Sequence, residues 1–294
     1  MSQNRLAPES LIHFFRDIKI AHSIFALPFA IVGVLIGQLA LPSGKQILLS
    51  LVCMVTARTF AMGMNRFLDR DLDAENSRTA GRSIPSGRLS AKACLTWSLV
   101  AGVLFVAAAA GLSALAGWLA VPLLAVLASY SFMKRISWLT HWYLGACLGL
   151  APIAVNIALS GEVKPSVLLV GIAVMFWTAG FDILYSLQDR EFDIIHKFHS
   201  VPAAFGIKGS LILSRISFVC MIVCLLIAGI HIAAGTTYFV GIAIVSGILI
   251  FEQIHVSKID FKSDSKRIGT AFFTANAWVS VLFYLFVQMD YLIK

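Results

Sequence analysis

Charge is scarce in this sequence. Only 13% of its 294 residues are Asp, Glu, Lys or Arg, about half the share of a soluble domain. Cysteine is scarce too, and its count of five is odd. Cys53, Cys94, Cys147, Cys220 and Cys224 lie in or beside apolar runs. Cys220 and Cys224 share a helix face, but no His or Asp joins them at metal spacing, so a disulfide framework and a Cys-based metal centre are both set aside. No polar stretch is long enough to fold as a separate soluble domain.

What is present is apolar. Hydrophobic residues make up 59% of the chain, and the mean hydropathy is +0.87. Runs of about 18–25 apolar residues read as transmembrane helices. Nine are expected, over 20–41, 46–67, 91–111, 114–133, 139–160, 166–187, 211–234, 237–256 and 270–292. A polar leader, Met1 to Lys19, precedes the first, which reads as a retained span rather than a cleaved signal. The whole chain, 1–294, reads as one polytopic all-α membrane domain.

The net charge of +8 does not point to nucleic acid, because the basic residues sit between apolar runs. With the N-terminus inside, nineteen of the 23 Lys and Arg fall on the inner side. Only Lys45, Lys164 and Lys294 fall outside, and Arg58 lies within a span. Such an asymmetry orients a membrane protein with its N-terminus in the cytoplasm.

The two longest inner connections, 68–90 and 188–210, both open with spaced carboxylates. One is Asn65-x-x-x-Asp69-x-x-x-Asp73 and the other is Asp189-x-x-x-Asp193. Residues four apart share a helix face, so each motif points two carboxylates one way from a helix end. No strong side-chain repeat extends beyond the acidic positions. Either motif alone is equally compatible with a solvated surface loop, as Asp71 and Glu75 are read here. Both together, at one spacing and on one side, imply four carboxylates around a cation. Mg²⁺ takes oxygen ligands and is commonly shared between carboxylates and a phosphate. Arg78 and Arg82, just past the first motif, suit a polyphosphate because Arg offers paired planar donors. Tyr130 and Lys134, in "YSFMKR", follow the same four-residue spacing, although topology alone also accounts for Lys134.

These residues carry a resemblance. "NRFLDRDLDAENSRTAGRSIPSG" and "YSLQDREFD" resemble the two signature loops of the UbiA-type intramembrane aromatic prenyltransferases. "YSFMKR", the closing "AFFTANAWVS" and the nine spans extend the likeness over nearly the whole chain. One position departs: the family's N-D-x-x-D-x-x-x-D has Arg66 in place of its first Asp. The resemblance implies a nine-helix bundle around a central cavity. It also implies an enzyme that moves a polyprenyl group from polyprenyl diphosphate to an aromatic ring. By the family pattern Asn65, Asp69, Asp73, Asp189 and Asp193 hold Mg²⁺ and diphosphate. Arg66, Arg78, Arg82, Tyr130 and Lys134 would contact the diphosphate or the allyl group, and Tyr185 with Phe181 would face the cation.

The acceptor is expected to be an aromatic acid. Arg16 and Lys19, with His22 nearby, lie at the inner start of the first span, where a cation would meet a carboxylate. Family members acting on 4-hydroxybenzoate serve ubiquinone synthesis, and relatives acting on a carboxylated naphthalene serve menaquinone synthesis; both acceptors stay open. The expected location is a bacterial inner membrane, with the active site toward the cytoplasm. A cation-coupled transporter is a rival, but transporter sites sit near the midplane and these motifs sit at the inner rim. Heme O synthase-type transfer is another, without visible porphyrin-binding features.

Overall fold

Apolar runs closed by polar punctuation become helices throughout. The computed structural model describes residues 8–18, 27–37, 41–257 and 265–294. Every regular element among them is helical. Eight helices are long and apolar enough to cross a membrane. The first expected span, 20–41, is described over 27–37 and at 41; its regular part is a ten-residue apolar helix, Leu27–Ile36.

By its internal contacts the chain divides into two compact units. The first comprises Met1–Ile24 and Pro42–Ser131. It holds α1 (Pro8–Asp17), α3 (Gly44–Leu68), the short α4 (Arg70–Glu75), α5 (Ala91–Leu112) and most of α6 (Ala114–Met133). Helix α3 starts on a capping box. The Ser43 hydroxyl accepts from the Gln46 amide at 3.3 Å, and the Gln46 side chain accepts from the Ser43 amide at 2.9 Å. This satisfies donors that a helix start leaves open. Phe14, Ile18, Leu89, Ala93 and Cys94 form a buried cluster in this unit.

The second unit comprises Phe25–Leu41 and Phe132–Lys294. It holds α2 (Leu27–Ile36), α7 (Thr140–Ser160), α8 (Pro165–Ser186), α9 (Arg190–Ile195), α10 (Val201–His231), α11 (Thr236–Val256) and α12 (Ser265–Ile293). Its core joins Phe29, Trp177, Met221, Leu225, Tyr238 and Phe283. Helices α7 and α8 pack almost backbone to backbone. A Cβ on Gly149 would strike the Gly171 carbonyl, and one on Gly171 would lie 2.7 Å from the Gly149 carbonyl. Small residues permit such contact where lipid gives no hydrophobic drive between helices. Large apolar side chains such as Trp118, Val103, Ile230 and Phe251 point outward, as lipid-facing surfaces require.

One expected boundary is wrong. The stretch 188–210 is not a loop. A 3₁₀ turn over Leu187–Asp189 leads into α9, and α10 begins at Val201, ten residues before the expected start of the span. Ser200 caps α10 through the Ala203 amide, and Pro202 sits in its first turn, two start signals with clear causes. Gly206, at φ 65° and ψ −171°, kinks α10; only glycine adopts that conformation without strain.

Candidate active site

The first motif belongs to the first unit. Helix α3 ends at Leu68, and Asp69 takes φ −96° and ψ 7° before α4 begins. The break does not lose register. The Asp69 amide donates to the Asn65 carbonyl at 2.9 Å, and the Asp73 amide donates to the Asp69 carbonyl at 2.8 Å. Asp69 and Asp73 are 3% and 6% exposed, which a solvated loop does not explain.

A relay of side chains links these groups. The Asn65 amide nitrogen donates to Asp69 Oδ2 at 2.7 Å and to the Ser131 hydroxyl at 3.1 Å. Arg66 Nη1 donates to Asn65 Oδ1 at 2.7 Å. A guanidinium only donates, so its presence fixes which way the Asn65 amide faces. Arg66 therefore bonds Asn65 rather than Asp69. It is buried, its Nε has no hydrogen-bond partner among the described residues, and Arg82, Tyr130, Asp73 and Asp17 are charged or polar neighbours.

The chain after α4 folds back onto Asp73. Thr79 Oγ1 donates to the Asp73 carbonyl at 3.0 Å. Arg82 Nη1 donates to both carboxylate oxygens of Asp73 at 2.6 Å. The Ser83 amide donates to Asp17 on α1 at 2.7 Å, tying the same segment down. Arg78, by contrast, is exposed.

The second motif belongs to the second unit and repeats the first in outline. Asp189, at φ −100° and ψ 3°, again stands between a long helix and a six-residue one. The letters repeat as well: Asp69-Arg-Asp-Leu-Asp73 matches Asp189-Arg-Glu-Phe-Asp193. Asp193 Oδ2 accepts from the Ser200 hydroxyl at 2.6 Å, and Asp189, Lys134 and His141 are its electrostatic neighbours. The Lys134 carbonyl accepts from the His199 amide at 2.7 Å, and its ammonium lies 5.2 Å from the Phe198 ring centroid. Lys134 is thus brought to Asp193, while Tyr130 lies in the first unit beside Arg66 and Arg58. Tyr185 is half-buried on α8.

Two polar side chains that the sequence pattern does not single out also meet in the second unit. His141 Nδ1 lies 2.7 Å from Asp182 Oδ2, and His141 Nε2 accepts from the Val201 amide at 3.2 Å. Since Nε2 accepts, Nδ1 carries the proton and donates to Asp182. Asp182 lies seven residues before Asp189 within an apolar helix, and a carboxylate at that depth was the available signal. Arg58, within its span, also has a buried Nε without a hydrogen-bond partner among the described residues. Of the expected acceptor residues, Arg16 is exposed at the end of α1; Lys19 and His22 lie outside the described residues.

The motif donors are all hard oxygens, which fits Mg²⁺ better than zinc. They come as a pair in each unit, and no group of three His, Cys, Asp or Glu gathers among the described residues. The Asn65 and Asp73 oxygens already accept from guanidinium groups.

The model of the UbiA prenyltransferase family matches residues 26–277. The chain belongs to the UbiA prenyltransferase family. It is accordingly an enzyme, a prenyltransferase, and an integral membrane protein. The 4-hydroxybenzoate octaprenyltransferase of Pseudomonas entomophila is 29% identical over 254 residues, covering 86% of this chain and 83% of that one. The protein of the same name from Pectobacterium carotovorum is 30% identical over 191 residues, covering 65% and 66%. Among solved structures, a UbiA homolog from Aeropyrum pernix K1 superposes with a TM-score of 0.82 at 29% identity, covering 92% of this chain and 98% of that one. A UbiA homolog from Archaeoglobus fulgidus, solved bound to DMAPP and Mg²⁺, shares the fold at a TM-score of 0.64 and 17% identity, covering 92% and 98%.

Proposed function

We propose that this UbiA-family enzyme transfers a polyprenyl group from polyprenyl diphosphate to an aromatic acid, with 4-hydroxybenzoate the favoured acceptor. The names of the bacterial relatives support 4-hydroxybenzoate and ubiquinone synthesis over a porphyrin acceptor. A carboxylated naphthalene, with menaquinone as the destination, is the second acceptor to test. The observation that carries the reading is the doubled motif: two Asp-Arg-acid-x-Asp segments of one backbone form, with cationic side chains beside each. The nine spans, the cytoplasmic N-terminus and the single-domain organisation are proposed from charge and apolar pattern, with the site toward the cytoplasm of a bacterial inner membrane.

In this reading Asn65, Asp69 and Asp73 in one unit, and Asp189 and Asp193 in the other, serve a Mg²⁺–diphosphate donor. When bound, Mg²⁺ screens charge on the diphosphate and on its departing oxygen. The carbon–oxygen bond of the allylic donor breaks, and its electron pair stays with the diphosphate. Arg66, Arg78, Arg82 and Lys134 stabilise the charge that develops there. Tyr130 and Tyr185 shield the allyl cation. A ring carbon of the acceptor forms the new carbon–carbon bond and loses its proton. Arg58, a half-buried cation whose buried Nε has no partner among the described residues, suits the acceptor carboxylate better than exposed Arg16 does.

The test incubates purified protein in detergent with Mg²⁺, a radiolabelled polyprenyl diphosphate and a panel of aromatic acids. A prenylated 4-hydroxybenzoate is expected, and its formation should stop in excess EDTA but not with a zinc-selective chelator. No prenylated product with any aromatic acid would refute the proposal.

A further inference from the structure

Several hydroxyls of the first unit turn back on their own helices. Thr56, Thr59, Ser98 and Ser129 each donate to a carbonyl three or four residues earlier, a common fate for a hydroxyl inside a helix. Ser131, near the end of α6, reaches another helix instead. It is 2% exposed, and its Oγ accepts from the Asn65 side chain on α3 at 3.1 Å. Both residues belong to the first unit.

That bond completes the anchoring of Asn65. An Asn side chain offers two N–H donors and one carbonyl oxygen. The amide nitrogen donates to Asp69 Oδ2 at 2.7 Å as well as to Ser131, and the carbonyl oxygen accepts from Arg66 Nη1 at 2.7 Å. Asp69 and Arg66 are neighbours of Asn65 along the same stretch of chain, so they can follow its side chain if it swings. Ser131 is held by a different helix and pins the amide plane against that motion. The plane in turn sets the Asp69 carboxylate, because the Asn65 bond engages Oδ2 and thereby orients the oxygen beside it.

We propose that Ser131 is a positioning residue for the first acidic motif: its hydroxyl locks the Asn65 amide and, through it, the Asp69 carboxylate in the orientation that serves the Mg²⁺–diphosphate donor. The proposal rests on the Mg²⁺–diphosphate reading of Asn65 and Asp69 and adds the residue that holds them in place. Removing a group that orients metal-serving side chains from one bond away costs about tenfold to a hundredfold in metal affinity or activity.

Mn²⁺ affinity, read by electron paramagnetic resonance on the full-length protein in detergent with farnesyl thiolodiphosphate as donor analogue, tests it. Ser131→Ala should weaken Mn²⁺ binding by about tenfold, raise the donor KM alongside it and leave the acceptor KM within about twofold. A merely structural loss would not produce that split. Ser131→Thr, which keeps the hydroxyl, should hold Mn²⁺ within about threefold of wild type. In an Asn65→Ala background the Ser131→Ala change should add less than about twofold, because its effect passes through Asn65. If Ser131→Ala does not fold, Ser131→Cys, close in volume but a weak acceptor, carries the same expectation. Wild-type Mn²⁺ affinity in the folded variant would overturn the proposal and leave the Mg²⁺–diphosphate reading intact. A loss that adds in full to that of Asn65→Ala would do the same. A wild-type protein that binds no Mn²⁺ with the analogue would overturn both.

Discussion

Asp69 follows α3 at φ −96° and ψ 7°, and Asp189 follows α8 at φ −100° and ψ 3°. Each hands a long apolar helix over to a six-residue helix that starts with Arg. What surrounds the two motifs differs. The first is wrapped by a segment that returns Arg82 to Asp73 and ties Ser83 to Asp17. The second is closed by the next helix itself, whose Ser200 accepts from the Ala203 amide and donates to Asp193. One backbone device thus carries two electrostatic solutions: an internal ion pair in the first unit and a neutral hydroxyl in the second. The backbone sets where the carboxylates point, and the counter-groups at Asp73 and Asp193 differ in charge.

Substitutions that erase this difference should have graded effects. The largest is expected at Asp189→Asn, which removes charge from the second motif; kcat/KM should fall by about a hundredfold or more, read in the radiolabel assay. Next is Arg82→Ala, which strands the Asp73 carboxylate. It should cost about 2 kcal/mol in detergent-resistant stability, moderated because Arg82 is partly exposed. Adding Asp73→Asn to it should recover part of the loss in thermal denaturation. Ser200→Ala removes a helix cap and the Asp193 hydrogen bond together and should cost about 1 kcal/mol in the same measurement. Smallest is Arg70→Ala. Its 3.4 Å pair with Asp71 is exposed, so stability should change by no more than about 0.5 kcal/mol.

Much of this arrangement was legible in the sequence where one physical rule dominated. The span expected at 114–133 coincides with α6, because Ser113 starts the run and Lys134 follows its end. The alignment of Asn65, Asp69 and Asp73 followed from helical period and survives the break at Asp69. The start of α10 did not emerge, because Lys208 and the polar residues before Ser200 hid an apolar period that Val201-Pro202 had in fact begun. Contacts set by the path of the chain were out of reach. Arg82 meets Asp73 through irregular turns, and His141 meets Asp182 from a separate helix; no periodicity encodes either. The Asp-Arg-acid-x-Asp repeat was visible, and comparing the residues between the carboxylates would have found it.

The Mg²⁺ dependence of turnover in Asp73→Asn and Asp193→Asn tests most directly the claim that both motifs serve the Mg²⁺–diphosphate donor. With saturating acceptor and fixed polyprenyl diphosphate, the Mg²⁺ concentration for half-maximal rate should rise by about tenfold or more in each variant. An unchanged Mg²⁺ requirement and near-normal turnover in both folded variants would contradict the account.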